Sequence, residues 1–355
     1  MEIKLAMNMT AHPHSRLLFP LYIRVENLSH VAKAQQLIIA LSRDLGFDDL
    51  RTDQASLIVT EFATHLVKHT AGTGGDLVFR PLEDAGGIGL DILALDCDPG
   101  IANISGRFRD SNSSTDLGAI RRLSSAFDIF FSPGNGVAVF CRLWKDLPAE
   151  PALQPPSALV VGVVCLPLSG EQACGDAWAM KVDGDSTFFM LADGLGHGPD
   201  AAEAANQAVA IFAEQTPRHP AELLHLIHAG LRGTRGAAVV AVEVAPGKGV
   251  IRFAGVGNIT GQILDGGSSR HLISHNGTAG VEARTIKEFS YPWTDNGLLV
   301  LHSDGVATCW LLDDYPGLAQ KHPALIAGVL FRDYQRLHDD STVVVVKADG
   351  RRVME

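Results

Sequence analysis

Apolar positions recur at helical spacing over residues 30–46 (Val31, Ala34, Leu37, Ile38 and Leu41) and predict a helix there. A second helix is expected over 52–70. Residues 76–82 and 88–95 read as strands joined by an Asp-Ala-Gly-Gly turn, with a further strand expected before the first helix. A helix over 117–126 leads into a hairpin, Phe127–Ser132 and Val137–Trp144, around Pro133-Gly134-Asn135-Gly136. Beyond residue 157 the pattern turns mostly to strands. They are expected at 158–166, 176–182, 187–192, 237–244, 250–255, 259–264, 297–302 and 342–347, with helices at 199–214, 220–232 and 323–335. Several of these strands, Val343–Val346 among them, are unbroken apolar runs, which implies cover on both faces. Two stacked sheets with helices outside would provide it.

The two patterns meet at a proline-rich stretch. Prolines 148, 151, 155 and 156 lack a backbone donor and restrict the preceding residues, so 147–157 reads as an extended linker. The expected division is 1–146 and 158–350, consistent with a 355-residue chain that exceeds one ordinary core. Hydrophobic residues make up 46%, enough for globular cores. The formal net charge of −11 argues against nucleic acid or an anionic membrane as a partner, since both attract basic surfaces. No apolar stretch approaches the roughly 20 residues of a membrane-spanning helix. No leader with a basic segment and an apolar run opens the chain. The five cysteines show no CxxC spacing and are expected to be reduced thiols. Together these predict a soluble cytoplasmic protein.

Candidate chemistry in the second half rests on acids at strand ends. Asp176 lies in Cys-Gly-Asp-Ala, Asp193 in Leu-Ala-Asp-Gly-Leu-Gly-His-Gly, and Asp304 in Leu-His-Ser-Asp-Gly-Val. Asp339 and Asp340 open Asp-Asp-Ser-Thr-Val-Val-Val-Val. A carboxylate at the end of a buried strand is partly desolvated, at a cost in free energy that a cation offsets. Hard divalent ions such as Mg²⁺ or Mn²⁺ take oxygen ligands. A single Asp-Gly pair is more often a plain turn; the recurrence of the pattern at strand ends is what points to metal.

These pieces, with Ala254-Gly255-Val256-Gly257-Asn258 and Ser274-His275-Asn276-Gly277-Thr278, occur in one order over about 158–348. In that order they resemble the SpoIIE-type branch of the PPM family of metal-dependent serine/threonine phosphatases. The resemblance implies an αββα sandwich holding two Mn²⁺ or Mg²⁺ ions. Asp193 would bridge the ions. The Gly194 carbonyl and Asp176 would help hold one ion, and Asp304 with Asp339 the other, with Asp340 the less favoured of its pair. Asp193, Asp304 and Asp176 would then carry catalysis, a metal-activated water attacking phosphorus with no covalent phospho-enzyme. His197 is either a proton donor to the leaving group or structural. Asn258 and Asn276 are expected to shape loops through backbone hydrogen bonds, Cys174 to pack, and no arginine is assigned to the phosphate.

In the first half, Glu61, His65, Lys68 and His69 share one face of the 52–70 helix. Downstream come Asp96-Cys97-Asp98-Pro99-Gly100-Ile101 and Ser113-Ser114-Thr115-Asp116-Leu117-Gly118-Ala119-Ile120-Arg121-Arg122-Leu123. With the hairpin, residues 20–145 resemble the anti-sigma-factor type of serine kinase in the histidine-kinase-like ATPase superfamily. The implied fold is an α/β sandwich, making the whole chain an α+β protein of two domains. The implied ATP/Mg²⁺ positions are Glu61, His65, Asp96, Gly100 and Gly118. Three motifs depart from the family pattern: His65 stands where an asparagine would ligate Mg²⁺, Asp98 replaces a glycine, and the phosphate loop has few glycines.

The pairing of the two folds implies one class of partner. We expect a phosphatase acting on a phosphorylated STAS-type (anti-anti-sigma) regulator in bacterial partner switching, with a sigma factor or anti-sigma regulator as a further partner. Its N-terminal domain would be regulatory. Alternatives are a bifunctional kinase/phosphatase switch and a non-catalytic binding module for a sigma-factor regulator.

Overall fold

The computed structural model describes residues 3–5, 20–69, 73–84, 87–96, 117–132, 136–146, 159–215 and 219–348. In chain order the first elements are β1 (Ile3–Leu5), β2 (Leu21–Val25), α1 (Leu28–Asp44), α2 (Asp49–His69), β3 (Gly75–Asp84) and β4 (Gly87–Asp96). There follow α3 (Leu117–Leu123), β5 (Ala126–Ser132) and β6 (Gly136–Trp144). Next come β7 (Leu159–Leu166), β8 (Asp176–Asp183), β9 (Ser186–Gly194), α4 (Pro199–Glu214), α5 (Pro220–Gly230), β10 (Ala237–Ala245), β11 (Val250–Val256) and β12 (Thr260–Asp265). The chain closes with β13 (Ser268–His271), β14 (Glu288–Pro292), β15 (Leu298–His302), α6 (Pro323–Tyr334) and β16 (Ser341–Ala348). The chain forms two compact units.

The first unit gathers residues 20–154 and, from far along the chain, 314–333. Its sheet has the order β1-β2-β3-β4-β6-β5. Asn27 caps α1, its side-chain oxygen accepting from the Ser29 and His30 amides, so two donors left over at the helix start are satisfied. Gly75 leaves room for Leu66 of α2 to press on the sheet: a Cβ there would also lie 2.6 Å from the Leu95 carbonyl.

Residues 314–333 supply the other cover. The segment was expected inside the C-terminal domain, yet its contacts group it with the first unit. α6 is buried from Pro323 to Arg332, so it needs partners all round. Gly328 faces Leu93 and Leu95 of β4. The His322 ring stacks on Phe140 with centroids 4.1 Å apart. Lys321 Nζ lies 3.0 Å from Asp128 Oδ1, and the His322 amide donates to Asp128 Oδ2 at 2.7 Å. Arg332, buried, donates to the Asp96 carbonyl at 2.8 Å and is forked onto Asp333. Helical periodicity reveals that α6 is apolar but not which sheet it covers.

The second unit gathers residues 155–313 and 334–355. It stacks two five-stranded sheets, β14-β11-β10-β9-β8 and β13-β12-β15-β16-β7. Phe189, Leu191, Val240, Val242 and Phe253 of one meet Val163, Leu299, Leu301, Val344 and Val346 of the other in the core between them. On the outer face of the first sheet, α4 and α5 bury Ala205, Ala208, Phe212, Leu223 and Ile227. Phe212, Leu223 and Ile227 each contribute about 1.5–3 kcal/mol through burial. The stacked sheets are as expected. The third helix of the expected αββα arrangement is α6, which groups with the first unit. β13 and β14 were not anticipated: both are short, β13 is polar throughout and β14 mixes polar residues with Phe289 and Tyr291.

Candidate metal centre

Antiparallel pairing fixes the first two acids. β8 and β9 pair so that Asp176 stands directly opposite Asp193. Opposed residues on antiparallel strands present their side chains to the same face, and two like charges there repel. Both carboxyls are pushed far up. Asp193 rises to about 10, chiefly through burial, then through Asp176, Asp304, Asp339 and Asp340. Asp176 rises to about 8, chiefly through burial, with Asp340 and Asp339 adding to it. The Ser303 hydroxyl donates to Asp176 Oδ2 at 2.6 Å and opposes that rise. Asp176 Oδ1 is buried with no hydrogen-bond partner among the described residues.

The other acids arrive from the second sheet. Asp304 follows β15 and is half-buried. Its carboxyl is raised, first by burial and then by Asp339. Asn258 donates its amide N–H to Asp304 Oδ2, so this asparagine serves an acid of the site rather than a backbone loop. Asp340 behaves differently from Asp339. Its two oxygens accept from the Leu168 amide at 2.8 Å and the Gly175 amide at 2.9 Å, so it clamps the loop ahead of β8. Gly175 is required at that clamp, because a Cβ would lie 2.6 Å from Asp340 Oδ2.

The glycines after two of the acids have a packing reason. A Cβ on Gly194 would run into the Ala201 carbonyl, and one on Gly305 into the Asp340 carbonyl. Backbone segments therefore approach closely on either side of the acids. His197 Nδ1 lies 2.7 Å from Glu171 Oε1, and Arg235 is paired with Asp200 at 2.6 Å. Cys165 and Cys174 bring their sulfurs to 3.8 Å in the core as free thiols.

The donor set fits hard divalent cations. It consists of carboxylate oxygens, partly desolvated, with one orphaned buried atom and pKa values that a cation would return to normal. Among the described residues no group of three or more His, Cys, Asp or Glu side chains stands close enough together to hold a metal ion as the side chains lie.

In the first unit, Glu61 and His65 lie on α2, both half-buried, and Asp96 ends β4 buried. Gly118 is exposed in the first turn of α3, where a Cβ would meet only Arg122 at ordinary contact distance. Gly100, Asp98, Cys97, the expected phosphate loop up to Asp116 and the 147–157 linker lie outside the described residues. Among the described residues no helix is long and apolar enough to cross a membrane.

The stacked sheets, helical cover and clustered acids define a PPM-type serine/threonine phosphatase domain. The sequence profile of the SpoIIE family (stage II sporulation protein E) matches residues 183–349. A solved structure described as the bacterial stressosome, a modular system adapted to control secondary messenger signalling, is 30% identical. It covers 53% of this chain and 99% of its own, with a TM-score of 0.50. RsbX in complex with magnesium is 17% identical over 55% of this chain and 98% of its own, with a TM-score of 0.47. The phosphatase domain of SpoIIE from Bacillus subtilis, with a fragment of its regulatory domain, is 17% identical over 90% of this chain and 92% of its own, with a TM-score of 0.44. No curated protein matches the chain. Through its C-terminal half the chain belongs to the SpoIIE family of PPM phosphatases.

Proposed function

We propose that this protein removes phosphate from serine or threonine of a phosphorylated STAS-type regulator, using two Mn²⁺ or Mg²⁺ ions. The observation that carries the reading is the cross-strand pair of buried Asp176 and half-buried Asp193, raised together, with Asp304 and Asp339 acting on the pair from the second sheet. Asp193 would bridge, Asp176 and the Gly194 carbonyl would hold one ion, and Asp304 with Asp339 the other. Asp340 holds the Asp176 loop in place rather than ligating. Two ions so held would lower the pKa of a shared water toward neutrality and offset the charge of the phosphoryl oxygens. Ser303 and Asn258 orient the carboxylates that do the holding. Glu171 orients the His197 imidazole, which stands beside the Asp193 turn as a candidate donor to the leaving oxygen.

The STAS partner is supported by the kinase-like motif order of the first half and by the stressosome source of the 30% identical structure. The first unit is read as a regulatory domain, with Glu61, His65 and Asp96 its candidate ATP/Mg²⁺ positions. The test is hydrolysis of p-nitrophenyl phosphate and of a phosphorylated STAS protein with Mn²⁺, beside Asp193→Asn. Equal rates for the two proteins would refute the assignment.

A further inference from the structure

The side chains that meet at the site are acids, yet a phosphate monoester arrives as a dianion. Four ligand carboxylates would balance the formal charge of two divalent ions, so a cationic side chain beside the site would add to what the ions offer the substrate's phosphoryl oxygens. Two guanidinium groups stand near enough to matter. Arg235 is committed, with Nη2 2.6 Å from Asp200 Oδ2. Arg336 is not.

Arg336 is placed by a short ladder. As the chain returns from residue 333, Val306 bridges to Gln335, the Ala307 amide donates to the Tyr334 carbonyl at 2.9 Å, and the Arg336 amide donates to the Gly305 carbonyl at 2.7 Å. That register sets Arg336 opposite Gly305, one residue from Asp304. Its side chain is exposed, and its guanidinium has no hydrogen-bond or ion-pair partner among the described residues. Asn258 donates to Asp304 Oδ2, and among the described residues no hydrogen bond joins the Arg336 guanidinium to that carboxyl.

We propose that Arg336 binds the phosphoryl group of the substrate, its planar fork engaging oxygens presented beside Asp304. This rests on the phosphatase reading above and adds to it the residue that recognises the phosphate. Guanidinium suits the task because its five donors match phosphate oxygens in pairs, whereas an ammonium offers a point charge.

The test compares Arg336→Ala and Arg336→Lys with the full-length wild type, using Mn²⁺, p-nitrophenyl phosphate as substrate and inorganic phosphate as ligand. Losing charge-assisted hydrogen bonds should raise KM and weaken phosphate binding about tenfold or more in the alanine variant. The lysine variant should recover part of that loss. Mn²⁺ affinity by calorimetry and the melting temperature should stay at wild-type values. Unchanged KM and phosphate affinity in the alanine variant would overturn the proposal, as would a loss that merely follows weakened Mn²⁺ binding. Calorimetry with phosphate on the Mn²⁺-loaded protein reads Arg336 even if the wild type hydrolyses nothing, so failure of the phosphatase reading is seen separately.

Discussion

Asp340 accepts the Gly175 amide at 2.9 Å across 165 positions of sequence, which ties the start of β16 to the residue just before Asp176. Asp340 is thereby held by two amides of a distant segment, whereas Asp339 accepts from the adjacent Asp340 amide at 2.9 Å and faces Asp304. The two should fail differently on substitution.

Asp340→Ala removes the acceptor for two amides, leaving that of Gly175 buried and that of Leu168 partly so. Bonds to a charged group are worth about 1.5–3 kcal/mol each, so this variant should melt well below wild type. Asp339→Ala should melt near wild type while its Mn²⁺ affinity, read by calorimetry, drops by about tenfold or more, since one ligand is lost. The reverse pattern would exchange the two roles.

The raised carboxyls make metal-free stability depend on pH. Asp176 and Asp193 ionise near 4 in the unfolded chain but near about 8 and about 10 in the fold. The folded state therefore holds more protons between those values, and stability falls as pH rises through them. Thermal melts of metal-free protein should drop from pH 6 to pH 9, and Mn²⁺ should raise the melting temperature more at pH 9. Asp193→Asn should flatten the slope and abolish Mn²⁺-dependent hydrolysis.

Gly305→Ala places a methyl group against the Asp340 carbonyl. Overpacking of this kind costs about 1–3 kcal/mol. The backbone must shift between Asp304 and the Asp339-Asp340 turn, so hydrolysis should fall more than tenfold even where the melt shows the protein folded. Steady-state rates at 25 °C would show it.

In the first unit, burial of His322 depresses its pKa from 6.5 to about 4. The unfolded chain then binds more protons between those values, so stability falls as pH drops from 6.5 toward 4. His322→Phe keeps a ring on Phe140 and should reduce that dependence, measured by urea unfolding at pH 4.5 and pH 7.

Much of this was legible in the chain. Val343–Val346 announces a strand covered on both faces because continuous apolar runs have no other soluble use, and β16 is buried along that run. The acids Asp176, Asp193, Asp304 and Asp339 stand out because carboxylates at the ends of such strands conflict with burial, and the fold brings their charges together. Asn258 was misjudged: asparagine after glycine has the local signature of a turn, and nothing nearby in sequence shows that Asp304, 46 positions on, is its acceptor. The glycines after Asp193 and Asp304 were read as part of a metal-pointing Asp-Gly pattern, but what they make room for, the Ala201 and Asp340 carbonyls, is set by other segments.

The sequence by itself determined most of the elements, their apolar faces and the acids that burial would penalise, because these follow from local backbone preference and from which side chains avoid water. It did not determine which partner each element meets. That α6 covers the sheet of the first unit, that Asp340 clamps while Asp339 stays available, and that Arg336 lies opposite Gly305 were decided only by the tertiary structure. Each depends on complementary shape and hydrogen-bond register between segments brought together by packing, and periodicity along one segment carries no record of the surface it will meet.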